Sequence, residues 1–491
     1  MSPIFKSHSP VSVSFFCFCF TLAIVSNVNG QFKNGVSETI VTGESCLQNQ
    51  FYVENHRNKI FDLKSDIEKI IDHVMRTKPG QTYKDLTLFV DKFGARFTGT
   101  ENLEKSIDYM LDLLKREGHD NVHGESVEVP RWTRGNEWAA MVKPRFKKLS
   151  ILGLGYSVGT DGRVLEAPII VVKTFDELEA RKESISGKIV VYNFEYHSYG
   201  QQAVYRFSGA SRAAKYGAKA ALIRSLTPFS INSPHTGMQG YDVNVTKIPA
   251  ISITTEDADL FERLAKHTEV IVQIYSENKN EQSNGLSRNT ISDITGTERP
   301  EEIVLISGHL DSWDVGQGAM DDGAGAFIAW RTVSILKELG LKPRRTIRSV
   351  LWTGEEMGLI GAKSYVKKHK HELDRYVVAM ESDIGTFRPK GLTYSGTNST
   401  SQCILWEIMR LMHPLNATRL TINDEGSDVQ EFKNVGVPII SLDTKNEKYF
   451  YFHHTEGDTI SVEDANELDL CQALWTSVAY ALASLENPLF R

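Results

Sequence analysis

The feature that most constrains how this chain folds is a repeated coupling of an apolar, strand-like run to acid or imidazole side chains at its carboxyl end. Ile303-Val304-Leu305-Ile306-Ser307 leads into His309 and Asp311. Ile347-Arg348-Ser349-Val350-Leu351-Trp352 leads into Glu355 and Glu356, and the run from Tyr376 to Met380 leads into Asp383. In an open α/β sheet, segments leaving the carboxyl ends of neighbouring strands converge on one crevice. Residues distant in sequence then meet at one site. Imidazole and carboxylate are the donor types that suit a hydrolytic zinc ion.

A chain of 491 residues exceeds one simple core and fits two or three domains. Its net charge of −7 and lack of a long basic run argue against a nucleic-acid partner. Lys6, the apolar run from Val11 to Val25, and Val28 and Gly30 before Gln31 read as a signal peptide over residues 1–30. The run is shorter than the ~20 residues a bilayer span needs. No later segment reads as a span, so no membrane anchor is expected, and the protein is expected to be secreted, extracellular or lysosomal. Outside that segment stand Cys46, Cys403 and Cys471. They allow at most one intrachain disulfide, with the pairing open. Asn244, Asn398 and Asn416 each begin an N-glycosylation triplet.

Leu103, Ile107, Met110, Leu111 and Leu114 recur at helical spacing, with Thr100 as N-cap and Gly118 as stop. From about residue 150 short β-rich runs take over: 169–172, 188–192, 220–223, 250–253 and 270–275, with one helix over 208–216. No stretch there combines His with Asp or Glu at ligand spacing. The region reads as a separate small domain without catalytic groups of its own, closed by a polar linker over 276–289. The expected division is therefore 31–150, an N-terminal segment and the first part of the main domain; 151–285, an insert; and 286–491, the second part of the main domain with the site. The fold class is α/β, a mixed central sheet flanked by helices, with a β-rich insertion.

Each candidate has a plain structural alternative. His309 after an apolar strand could be a core ring, but Asp311 offers a carboxylate to its other N–H. Asp321, at the mouth of a helix over about 323–339, could be an N-cap. Asp321 and Asp322 together exceed a cap's needs, since adjacent acids repel without a cation. In Glu355-Glu356 one acid can bind metal while its neighbour faces the attacking water. His453-His454 lies in the aromatic context of Tyr449, Phe450, Tyr451 and Phe452, and either ring could be structural. Together these residues suffice for two ions that share a bridging carboxylate.

Five segments carry a resemblance to a known family: 307–314, 318–323, 352–356, 380–383 and 452–455. On these the chain resembles the co-catalytic di-zinc exopeptidases, over nearly all its length. The insert resembles a protease-associated domain, through 186–191 and 248–252. The resemblance implies two zinc ions bridged by Asp321. His309 and Asp383 complete one site, and Glu356 with a histidine completes the other. It implies that Glu355 is the general base and later the acid, that Asp311 orients His309, and that a cis peptide joins Asp321 to Asp322. The family's His-Thr-x-x-Asp-Thr pattern falls on His454-Thr455-Glu456-Gly457-Asp458-Thr459 and so favours His454 over His453. Gly426-Ser427-Asp428 resembles a further landmark near the substrate pocket, or is a simple loop turn. The implied activity is exopeptidase or dipeptidase action on small peptides, by a homodimer. Aminopeptidase specificity, a one-zinc glutaminyl cyclase-like acyltransferase and a non-catalytic receptor on the same fold are the competing readings. Tyr449, Tyr451 and Trp313 are candidate pocket aromatics.

Overall fold

The structure is a computed structural model and describes residues 39–49 and 56–490. The expected signal peptide lies outside the described residues. A nine-stranded sheet and an eight-stranded sheet organise them.

The larger sheet is mixed. At its centre Arg299–His309 runs parallel to Arg345–Trp352 on one side and to Tyr376–Glu381 on the other, with Ile439–Thr444 parallel beyond the latter. Their central residues, 303–308, 349–352, 376–380 and 439–442, are buried and mostly apolar, as expected of interior parallel strands. Helix Ala324–Glu338 is buried on nearly every side, between the sheet and the C-terminal helix Ala465–Ser484. The sheet thus has helices packed on it, and its four parallel strands end along one edge.

The expected helix spans Glu101–Arg116, the Thr100 side chain accepts from the Leu103 N–H, and Gly118 takes a left-handed φ of +72°. Cys46 and Cys403 form a disulfide between helices Gly43–Leu47 and Ser399–Arg410, while Cys471 is free and buried.

The smaller sheet differs from expectation in two ways. It includes Glu137–Lys143 and Lys147–Leu149, so residues placed before the 151 boundary belong to it. Four of its strands, Leu165–Val172, Ile189–Tyr192, Ala220–Arg224 and Ala250–Ile253, run parallel. Helices Phe175–Ala180, Tyr199–Ala214 and Thr255–Ala265 accompany them, and only the second was expected in part. The insert is therefore α/β rather than chiefly β. The expected linker is also partly strand: Gly285–Ile294 pairs with Asp120–Val129 and Arg345–Trp352. Its inward positions are polar, which hid it. Buried Ser287 bonds the Thr353 hydroxyl at 2.6 Å, and buried Asn289 donates to the Gly361 carbonyl at 3.1 Å.

Candidate metal centre

The parallel strand ends deliver the expected residues to one place. His309 is the last residue of its strand, and the loops after Trp352 and Glu381 carry Glu355, Glu356 and Asp383. Asp321 precedes helix Ala324–Glu338, and the Asp321–Asp322 peptide is cis. His453 and His454 follow the short helix Tyr449–Phe452.

Asp321 sits at the middle of the cluster. Its Oδ1 lies 3.3 Å from His309 Nε2, which is also 3.2 Å from Asp383 Oδ1. Its Oδ2 lies 3.3 Å from His454 Nε2, which is 3.0 Å from Glu356 Oε2. Two donors on one tetrahedral zinc, each about 2.1 Å from it, stand about 3.4 Å apart. The carboxylate therefore turns one oxygen to each of two donor pairs, as a bridging ligand does. Two buried atoms, Asp321 Oδ2 and Glu356 Oε1, lack a hydrogen-bond partner among the described residues. Donor type, spacing and these bare oxygens all fit zinc.

The electrostatics agree. Burial and the charge of Asp321, against His454, push Glu356 up to about 7. Burial, then Asp383 and Glu356, raise Glu355 well above the carboxylate range against the pull of His309. Burial would raise Asp321 too, but the imidazoles of His309 and His454 beside it hold it well below that range. Burial lowers His309, and its bonds to Asp321 and Asp383 more than reverse this. The acids around His309 and His454 favour positive charge at this site.

Glu355 stands back from the donor set, with Oε2 4.0 Å from His309 Nε2. Its other oxygen accepts a short hydrogen bond from the Ser427 hydroxyl, so the 426–428 segment is part of the site. A cavity of about 650 Å³ opens over Glu355, Glu356, Asp321, Asp383 and His454. Tyr449 lines it. Tyr451 instead packs on Phe229, and Trp313 is buried beside His454.

One expectation needs correction. The acceptor at His309 Nδ1 is the Asp311 carbonyl, at 2.9 Å, while the Asp311 carboxylate is 3.7 Å away. That carboxylate instead accepts from Thr98 at 2.7 Å and from the Glu355 N–H at 3.2 Å, so it holds the loop that carries Glu355. Asp322 accepts from the N–H of Gly325 in the first turn of helix Ala324–Glu338 and from the N–H of His309, linking that helix to the strand end. The insert, read from sequence as a domain without catalytic groups of its own, forms a wall of the cavity through Tyr156, Tyr199, Arg206 and Tyr241.

Two supporting residues gave little signal in sequence. Buried Asp458 accepts from the N–H groups of Ala319, Met320 and Asp321 at 2.8–3.2 Å. Arg96, fully buried, donates to the carbonyls of Leu310, Gln317 and Gly318 and so holds the two ends of the loop between His309 and Asp321. Asp458 was visible only as part of the histidine pattern, and Arg96 only as part of a turn.

The sequence pattern of peptidase family M28 matches residues 289–479, which include all five candidate ligands. Carboxypeptidase Q of Xenopus laevis is 46% identical over 447 residues, covering 91% of this chain and 95% of its own. The chain belongs to peptidase family M28. A peptidase M28 precursor from Shewanella amazonensis SB2B has the same overall fold, with a TM-score of 0.83 and 32% identity, over 88% of this chain and 99% of that one. A zinc aminopeptidase from Bacillus subtilis shares the fold at a TM-score of 0.63 and 21% identity, over 83% and 98% of the two chains.

Proposed function

We propose that this M28 peptidase is a di-zinc exopeptidase that hydrolyses dipeptides or releases terminal residues from small peptides. The observation that carries the reading is the placement of Asp321 between two complete donor pairs, with Glu355 beside them in a substrate-sized cavity. His309 and Asp383 would hold one ion, Glu356 and His454 the other, and Asp321 both. Zinc bound there would lower the pKa of water and polarise the scissile carbonyl.

The chain's own groups do the rest. Glu355 accepts the proton of the attacking water and returns it to the departing amine. Burial raises its proton affinity towards that task, and the Ser427 hydroxyl fixes its orientation. The complete second donor pair disfavours a one-zinc cyclase and a receptor that has lost its ligands.

Carboxypeptidase or dipeptidase specificity is favoured over aminopeptidase specificity by the cavity's cations, Arg206, Lys247 and Lys363, which suit a free carboxylate. The sequence similarity to carboxypeptidase Q points the same way. The Cys46–Cys403 disulfide supports passage through an oxidising secretory compartment, leading outside the cell or to the lysosome. No helix among the described residues is long and apolar enough to cross a membrane. The homodimer is part of the same proposal.

The test is a panel of free, N-blocked and C-amidated dipeptides, run with and without chelator. Free dipeptides should be cleaved, chelation should stop this, and zinc should restore it. Amidation should slow cleavage more than N-blocking. Hydrolysis indifferent to chelation would refute the metal mechanism, and faster cleavage of amidated than of N-blocked peptides would refute the carboxyl-end specificity.

A further inference from the structure

The two candidate metal histidines are oriented by different parts of the molecule. His309 Nδ1 faces the carbonyl of Asp311, two residues along its own loop. His454 Nδ1 faces the carbonyl of Thr236, at 3.3 Å, and Thr236 belongs to the insert. The contact is reciprocal, since the Thr236 N–H donates to the His454 carbonyl at 2.9 Å. One residue earlier, His235 Nδ1 donates to the His453 carbonyl at 2.7 Å. Residues 235–236 thus grip the double-histidine turn by three hydrogen bonds.

That turn needs a grip. His454 has a φ of +61°, the left-handed region that non-glycine residues avoid and that persists only where surroundings impose it. The gripping segment is itself fixed to the insert. The His235 N–H donates to Ser225 Oγ at 2.9 Å, and that hydroxyl donates to the Ile253 carbonyl at the end of a strand. The Thr236 hydroxyl donates to the Gly153 carbonyl at 2.8 Å.

We infer that the insert completes the metal centre: residues 235–236 set the ring orientation and tautomer of His454, with His235 as a positioning residue acting through the His453 carbonyl. The inference rests on the di-zinc reading above. An acceptor at Nδ1 keeps the ring's hydrogen there and leaves the Nε2 lone pair facing Asp321 and Glu356. Displacing the insert from the main domain would release that ring and loosen the ion it serves, while the His309 half would keep its own local acceptor.

The experiment is a zinc titration of the full chain against a competing chromophoric chelator, for wild type, His235→Phe and His235→Asn. Phe keeps the bulk and removes the donor; the Asn amide N–H can still reach the His453 carbonyl. Wild type should take up two ions. His235→Phe should weaken one binding event by about 10–100-fold, the range for loss of an outer partner of a metal ligand, and leave the other within about threefold. His235→Asn should stay within about threefold for both. Ser225→Ala, a milder loosening of the same segment, should weaken the same event if His235→Phe does not fold. Unchanged affinities in the variant that folds would overturn the inference and leave the di-zinc reading standing. So would equal weakening of both events with a lowered unfolding midpoint of the metal-free protein, which marks a general loss of fold. A wild-type chain that binds no zinc would sink the di-zinc reading and this inference with it.

Discussion

Replacing Glu355 by Gln separates proton transfer from metal binding. The side chain lies 4.0 Å from His309 Nε2, farther than Asp383 at 3.2 Å or Asp321 at 3.3 Å, and so outside the donor set. Gln matches its shape and can still accept the Ser427 hydroxyl's hydrogen bond. Removing one negative charge beside Asp383 and Glu356 should alter zinc affinity only modestly. The amide cannot accept the proton of the attacking water. A positioned general base contributes about 10²–10⁴-fold, or about 2.7–5.4 kcal/mol of barrier. Glu355→Gln should therefore retain two zinc ions by elemental analysis while kcat on a free dipeptide falls at least 100-fold, with KM little changed. Turnover within tenfold of wild type at full zinc loading would refute Glu355 as the base. Loss of zinc alongside activity would refute its exclusion from the donor set.

Asp321→Ala removes the carboxylate that faces both donor pairs, and should release zinc as well as activity; unchanged zinc content would remove Asp321 from the site. His369 sits between Glu125, at 2.8 Å, and Glu372, and its hydrogen bond to Glu125 leads in raising its pKa above 6.5. The stabilisation is therefore fully present below pH 6.5 and fades as pH rises through the folded-state value. His369→Asn should lower the unfolding free energy at acidic pH by about 1 kcal/mol or less given partial exposure, with the deficit shrinking in alkaline buffer; a deficit constant with pH would contradict this. Asn244 and Asn416 are exposed at positive-φ turns, whereas Asn398 is half-buried and caps a helix. Mass spectrometry of protein from a secretory host should find glycans on the first two and little on the third; the reverse occupancy would be decisive against it.

The strand-end candidates His309, Glu355, Glu356 and Asp383 were legible in sequence because each is chemically marked and follows an apolar strand. Asp321 was marked by the second acid beside it at the mouth of a helix, the choice of His454 over His453 came only from the family resemblance, and the structure brings all six together. The supports were hidden because they act through backbone groups that every residue carries. The Asp311 and Thr236 carbonyls, and the three N–H groups held by Asp458, leave no compositional trace. Polar residues facing inward, as Ser287 and Asn289 do, disguised a strand as a linker. The insert's part in the site was invisible for a further reason: residues 235 and 454 lie 219 positions apart, and no spacing rule links them.

Metal removal follows from the charge balance of the same site. Asp321 and Glu356 are buried, Asp383 and Glu355 mostly so, with Asp322 and Glu381 fully buried behind them, against the two imidazoles His309 and His454. Uncompensated buried charge is costly, so binding of cations to the folded state should count directly towards stability. An ion at a thousandfold excess over its Kd contributes about 4 kcal/mol, and two contribute about 8. Chelation should lower the unfolding midpoint by several degrees. Hydrogen exchange should rise first in the loops that carry the donors, around residues 311–323, 353–358 and 453–458, because the strands beneath them are held by their own buried core. Equal midpoints with and without chelator would show that these acids are balanced by something other than bound ions. A faster exchange confined to the insert would show that its hold on the histidine turn, rather than the donor loops, is what the ions secure.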